Sequence, residues 1–175
     1  MKFFNNFFII LFFFVSNINY VKAQEKISYI DIDLILSSSM AGKSLMNKLK
    51  VEEELKINIF KSKEEDFKEK ENKILVKKNL ISKEEIDKEL KSLQIEFNEY
   101  RKDKAKQIQK LKIKRKRNIV NFLSLLNPII EKYMSENSIY MLIDKKNIFI
   151  ANKNYDITNN LIELINNQIK DVEIK

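Results

Sequence analysis

Between residues 24 and 36 the chain reads QEKISYIDIDLIL, and apolar and charged residues alternate over Ile30, Asp31, Ile32 and Asp33. Period-two alternation in a stretch rich in Ile and Tyr is the pattern of a half-buried strand, so a strand is expected over residues 26 to 32. Asp31 and Asp33 would then lie on its solvent side. From Ser44 to about Lys78 the period changes. Phe60, Phe67 and Ile74 recur every seven residues, and Leu45, Leu49, Leu55 and Ile59 form a neighbouring stripe with charges of both signs between them. This predicts a long amphipathic helix. The pattern breaks at NLIS, residues 79 to 82, where Ser82 followed by Glu85 has the form of a capping box and begins a second helix. In that helix Ile86, Leu90, Leu93, Phe97 and Tyr100 advance in steps of four and three, the seam of a coiled coil. Two such helices joined by a short turn run antiparallel, forming an arm about 50 Å long at a rise of about 1.5 Å per residue.

Beyond Leu111 apolar residues thicken through Ile119, Phe122, Leu125, Leu126, Ile129, Ile130 and Tyr133, as they would where the helix re-enters a core. Pro128 stands in this run, so either Asn127 caps a new helix or the helix kinks there. The tail offers two β-rich runs, IYMLID (139 to 144) and NIFIAN (147 to 152), which Lys145 and Lys146 would join as a tight hairpin. Asp156 or Thr158 is placed to cap a last helix with Leu161, Ile162, Ile165 and Ile169 on its apolar face. The expected fold is α+β: a small β-containing body from residues 24 to 43 and 128 to 175, and a helical arm over 44 to 127. Ile27, Ile30, Ile32, Leu142, Ile148 and Ile150 are the expected core of that body. With three short strands and no cysteine in the chain, a body so small is marginal alone, and self-association is expected.

Charge alters this picture at one place. The net charge is +8, yet residues 101 to 117, RKDKAKQIQKLKIKRKR, alone carry +9, with Asp103 their single acid. The ten cations are Arg101, Lys102, Lys104, Lys106, Lys110, Lys112, Lys114, Arg115, Lys116 and Arg117. On an ideal helix at about 100° per residue they surround the whole circumference, leaving a thin seam at Ala105, Ile108 and Leu111. Such a block is the usual footprint of a phosphate binder. It holds no aromatic residue on which single-stranded nucleic acid could stack. Acidic partners or anionic lipid headgroups are the better match, with charge repulsion that keeps the protein soluble as the competing explanation.

The chemistry of catalysis is poorly represented. With no His and no Cys, imidazole bases, thiol nucleophiles and zinc sites are excluded. SSSMAGKS, ending at Ser44, looks like the end of a phosphate-binding loop. Ser37 stands where that motif needs Gly, and a strand-to-helix turn permitted by Gly42, the only glycine, is the simpler reading. No cofactor or metal is expected, and no enzyme.

The N-terminus, MKFFNNFFIILFFFVSNINYVKAQ, has an early cation, an apolar stretch from Phe7 to Val15, and small residues at Val21 and Ala23. It has the form of a secretory signal peptide cut between Ala23 and Gln24. Export would remove the chain from chromosomal DNA, and nucleic acid is therefore not an expected partner.

In the order of its parts the chain resembles the Skp/OmpH family of periplasmic chaperones. The resemblance rests on the signal peptide, the opening KISYIDIDLILSSSMAGKSL, the charged hairpin turning near KNLISKEEID, and IIEKYMSENSIYMLIDKKNIFIANKNYDIT before a terminal helix. It covers essentially the whole mature chain, and its most specific pieces are the two ends. The family usually places a Gly near Asn137 and Ser138, just before the strand, and this sequence has none. The resemblance implies a homotrimer whose bodies join as a central barrel while three arms surround a cavity. It further implies that unfolded outer-membrane β-barrel proteins are held there without ATP. Some members have been assigned a basic lipopolysaccharide-binding patch, which the resemblance does not transfer to particular residues. A structural or lipid-binding envelope coiled coil is the alternative reading.

Overall fold

The structure, a computed structural model, describes residues 26–77 and 80–174. The signal peptide and its expected cleavage site at Ala23 and Gln24 lie outside the described residues. Strand β1 (Lys26–Ile30) is followed by helices α1 (Ile32–Ser38), α2 (Met40–Val76) and α3 (Lys83–Glu136), then strand β2 (Ile139–Asp144). Single 3-10 turns at Lys145–Asn147 and Lys153–Tyr155 lead to helix α4 (Thr158–Gln168).

The strand expected to reach residue 32 stops at Ile30 because Asp31 is a helix cap. Its carboxylate accepts from the Leu34 amide at 2.9 Å, which turns Ile32 into the first residue of α1. The Asp31 amide donates in turn to the Thr158 hydroxyl at 2.9 Å, tying the start of α1 to the start of α4. Ser39 then caps α2, so this helix begins four residues before the expected Ser44. Gly42 is not at a turn. It lies in the first turn of α2 with no positive φ, against the end of α1, where an added Cβ would come within 2.4 Å of the Leu36 carbonyl oxygen.

Helices α2 and α3 form the expected hairpin. The ion pairs Lys77–Glu89, Lys70–Glu96, Lys104–Glu64 and Lys114–Glu52 advance along α3 as they retreat along α2, which fixes the antiparallel direction. Ser82 and Glu85 make the full reciprocal capping box at the start of α3. This helix continues for 54 residues, about 80 Å at about 1.5 Å per residue, and runs unbroken through Pro128. There is no restart at Asn127; the missing proline amide leaves the Ser124 carbonyl without its usual helical donor.

The tail departs most from expectation. Residues 147 to 152 form no strand, and β2 pairs instead with β1, in parallel, from Ile27 with Met141 to Ile30 with Asp144. Parallel strands need a crossover, here the entire hairpin. A tight two-residue hairpin wants positive φ at both central positions. Lys145 and Lys146 do not supply it; the Asp144 carboxylate caps a 3-10 turn there by accepting from the Lys146 amide at 3.2 Å. The described residues thus contain a two-stranded sheet rather than three strands. Among non-glycine residues described, Ser138 alone has a positive φ, 53°, at the sharp turn from α3 into β2. It is one of the two residues, Asn137 and Ser138, near which the resemblance leads one to expect a glycine.

One core joins these parts. Ile35, Ala41, Leu45 and Leu49 meet Phe122, Leu126 and Ile129 of α3, Leu161 and Ile165 of α4, and Ile30 and Ile139 of the sheet. Asp156, one residue ahead of the helix's nominal cap, accepts from the Thr158 amide at 3.0 Å and so serves the start of α4. Ile157 closes the sheet's other side by donating to the Tyr29 carbonyl at 3.1 Å.

Candidate functional site

The hairpin seam is uneven along its length. Phe60 and Tyr100 are buried, as are Ile74 and Ile86 nearer the tip, whereas Leu55 and Ile59, expected on the buried stripe, are exposed. Tyr100 donates to the Phe60 carbonyl at 3.0 Å and to Glu64 at 3.3 Å. Phe67 packs edge-on to Phe97 with ring centroids 5.3 Å apart and tilted against Tyr100 at 5.4 Å. Between the buried layers the seam opens into a groove of about 650 Å³, with Phe67, Leu90, Leu93 and Phe97 beneath Glu64, Lys68, Glu71 and Gln94. The Lys104 ammonium, 2.5 Å from Glu64, holds that carboxyl below its usual range, and Glu64 in return raises Lys104. Burial pushes the Tyr100 phenol up.

The ten cations of the basic block divide into two groups. Lys104, Lys114 and Arg115 flank the seam and pair with Glu64, Glu52 and Glu53 of α2 at 2.5, 2.8 and 3.2 Å. Arg101, Lys102, Lys106, Lys110, Lys112, Lys116 and Arg117 are exposed and make no ion pair among the described residues. At about 100° per residue these seven fall within about 180° of arc, on the side of α3 turned away from α2. The even distribution read from the sequence is therefore corrected: the pairing leaves one outward basic half. Ile113 and Val120, both half exposed, lie on that same half. The acidic partners were present in the sequence, but the helix register was needed to match them.

A second surface lies at the opposite end of the chain's fold. Of the residues expected to form the body's core, Ile30 is buried, and Ile32 and Leu142 pack half-buried against the core. Ile148 is half-buried, while Ile27 is 49% and Ile150 85% exposed. These last three are not core residues of a single chain: Ile27 lies on the face of β1 opposite the buried Ser28 and Ile30, and the strand that would have turned Ile148 and Ile150 inward does not form. Phe149 is fully exposed, and Tyr140 and Met141 project from β2 into solvent. These are large apolar groups on a small sheet with an open edge and on the segment that follows β2, a feature that ordinarily marks an association surface.

Among the described residues no group of three or more acids is placed to hold a metal, and no helix is long and apolar enough to cross a membrane. The carboxylates with displaced pKa values serve as helix caps or in ion pairs. The candidate site is a long two-helix arm with an apolar groove along its seam and a basic outer half.

Three comparisons bear on it. No curated protein sequence matches the chain. Among solved structures, a protein of Caulobacter crescentus CB15 described as an OmpH-like outer membrane chaperone has the same fold. The two superpose with a TM-score of 0.75 at 16% identity, over 85% of this chain and 88% of that one. The family described as outer membrane protein (OmpH-like) matches residues 26–165, from the first residue of β1 into the last turns of α4, and the chain belongs to that family.

Proposed function

We propose that this protein is an ATP-independent holdase of the periplasm, exported by a signal peptide cleaved after Ala23. In this reading three copies associate through their β-containing bodies, residues 24 to 43 and 128 to 175. The three arms, residues 44 to 127, then enclose unfolded outer-membrane β-barrel proteins and prevent their aggregation. The observation that carries it is the hairpin itself. Its apolar side chains are dispersed along an exposed arm, which suits weak, exchangeable contact with an extended chain. The description of the Caulobacter protein as an outer membrane chaperone supports it. The exposed Ile27, Tyr140, Met141, Phe149 and Ile150 support association of bodies. Seven unpaired cations on each arm add long-range attraction for acidic clients, and lipopolysaccharide or an anionic membrane surface would meet the same field.

The test is native mass spectrometry of residues 24–175, alone and after a urea-unfolded outer-membrane barrel protein is diluted into it. A trimer that takes up one client chain and keeps it soluble is expected. A trimer that ignores the client would favour the second reading, a structural or lipid-binding envelope protein, for which the basic outer half is the specific observation. A monomer would overturn the association.

A further inference from the structure

The core elements fall into a head, made of β1, α1, β2 and α4, and the base of the hairpin, made of the first turns of α2 and the body end of α3. The chain passes between them at only two points. One is Ser39, a single extended residue between α1 and α2, and the other is Asn137–Ser138, with Ser138 in the left-handed region. Both are places where a small change of backbone torsion would swing the hairpin against the head.

The base of α2 is gripped on two faces. Ala41, Leu45 and Leu49, spaced by four, form the apolar face buried in the core with Phe122 and Leu126. Met40, Ser44 and Lys48, also spaced by four, form an adjacent polar face that meets the C-terminal part of the chain. The Met40 amide donates to the Asn166 side chain at 2.7 Å. Ser44 donates to Asp171, and the Lys48 ammonium reaches both Asp171 carboxylate oxygens at 2.7 and 2.9 Å and the Val172 carbonyl at 2.9 Å. Past the end of α4, Ile169, Val172 and Ile174 lie against the core, so the segment from Ile169 to Ile174 crosses the α2 base as a strap.

We propose that this C-terminal strap is a third tie between head and hairpin and sets the angle at which the arm leaves the body. Apolar burial is non-directional and resists separation more strongly than it fixes rotation. A polar contact on the neighbouring face, one residue over at each turn, opposes that rotation. The Lys48 and Ser44 contacts hold the Asp171 carboxyl at about 2, so the tie stays charged at any pH near neutrality. Lys48 and Asp171 are both partly solvated, and the tie therefore weakens as salt rises.

The absence of native cysteine makes the test direct. Spin labels are placed at Lys153→Cys on the head and Lys106→Cys on the hairpin, and labelled chain is diluted with unlabelled chain so that pulsed dipolar spectra report distances within one chain. A single narrow distance distribution is expected for the parent protein. In Asp171→Asn, in Lys48→Met and in a chain ending at Ile169 the distribution should at least double in width while helical content is retained. The reciprocal exchange Lys48→Asp with Asp171→Lys should narrow it again. Hydrogen exchange of Met40–Lys48 should accelerate by about tenfold in the single variants, with β1, β2 and α4 unaffected. An unchanged width in all three variants overturns the proposal. So does loss of exchange protection throughout the head, since the strap would then be an ordinary part of the core rather than a tie that sets direction.

Discussion

Replacing Gly42 by alanine separates two lines of reasoning that predict opposite signs. Gly42 occupies the first turn of α2, and in a helix alanine is more favourable than glycine by up to about 1 kcal/mol. By propensity alone the substitution stabilises. The tertiary contact says otherwise. The added Cβ would stand 2.4 Å from the Leu36 carbonyl oxygen and 2.8 Å from that of Ile35, where ordinary contact begins near 3.4 Å. Relief requires a displacement of about 1 Å at the nearest atom. Both oxygens belong to backbone at the end of α1, and the Ile35 carbonyl also accepts from the Ser39 amide at 3.0 Å, so no side chain can rotate aside. Overpacking costs about 1 to 3 kcal/mol, and against two backbone oxygens that cannot rotate aside the upper part of that range, about 2 to 3 kcal/mol, applies. Against a propensity gain of up to about 1 kcal/mol, the expected net change is a destabilisation of about 1 to 2 kcal/mol. With a urea m-value of about 2 kcal/mol/M, the unfolding midpoint should fall by about 0.5 to 1 M. The assay is urea unfolding of residues 24–175 followed by far-UV circular dichroism, at one fixed protein concentration because association would shift the midpoint. An unchanged or raised midpoint would mean that α1 and α2 do not approach as described, and the argument for Gly42 would fail.

Two buried hydroxyls should behave in opposite ways. Thr158 accepts from the Asp31 amide and donates to Asp156, so Thr158→Val should cost about 1 to 3 kcal/mol in the same assay, whereas Ser28, buried with its hydroxyl unpartnered, should tolerate Ser28→Ala with little loss or a small gain. Phe122, with no exposed surface, should cost about 3 to 5 kcal/mol when replaced by alanine, read as the loss of cooperative unfolding or a midpoint shift of more than 1 M. Glu64 is held below its usual range chiefly by Lys104, so its contribution to the hairpin is present near and above pH 4.5 and is lost as pH falls through the lowered folded value; the difference in hydrogen exchange around Tyr100 between the parent and Glu64→Gln should be clear at pH 7 and shrink on acidification. Replacing Arg101, Lys102, Lys106, Lys110, Lys112, Lys116 and Arg117 by glutamine should slow capture of an acidic unfolded client and flatten its salt dependence in stopped-flow fluorescence, and equal capture rates at low salt would remove the electrostatic part of the proposed function.

The parts of the fold legible in the sequence are those fixed within a few residues of chain. The hairpin follows from helical periodicity, and its second helix starts where Ser82 and Glu85 announce it, because a capping box is satisfied locally. Asp31 carried an equally local signal and was outweighed by the alternation running through it; the cap prevailed because Thr158, far away in sequence, takes the amide that a longer strand would have needed to pair. The run NIFIAN has every local property of a strand. The sheet instead pairs β2 with β1 across the long crossover, with Ile27 to Ile30 in one register, and that long-range pairing is invisible to local propensity. Gly42 stands out in the sequence as its only glycine, yet the reason for it is a close approach of two helices and not a turn, which periodicity cannot show. Ser138 is the converse case: the missing family glycine marked the right place, and the left-handed φ there supplies the reason.

The division of the basic block bears on what its charge is for. If the cations served only to hold the hairpin together, they would lie where α2 can reach them, and three do, each matched to one glutamate. The other seven lie on the far half of α3, beyond neutralisation by α2, and extend over 17 residues or about 25 Å of helix. Like charges so arranged oppose helix formation slightly, and the chain offsets this with apolar packing at the seam rather than with nearby acids. A field screened over about 8 Å at physiological salt acts beyond the side chains that generate it but not across a whole assembly. It therefore influences whatever comes to the outer half of an arm, and repulsion between two arms matters only where their basic halves face each other at close range. Attraction of an acidic partner needs no such mutual arrangement. It follows from the charge on one hairpin, and for that reason it is the reading adopted for the proposed function.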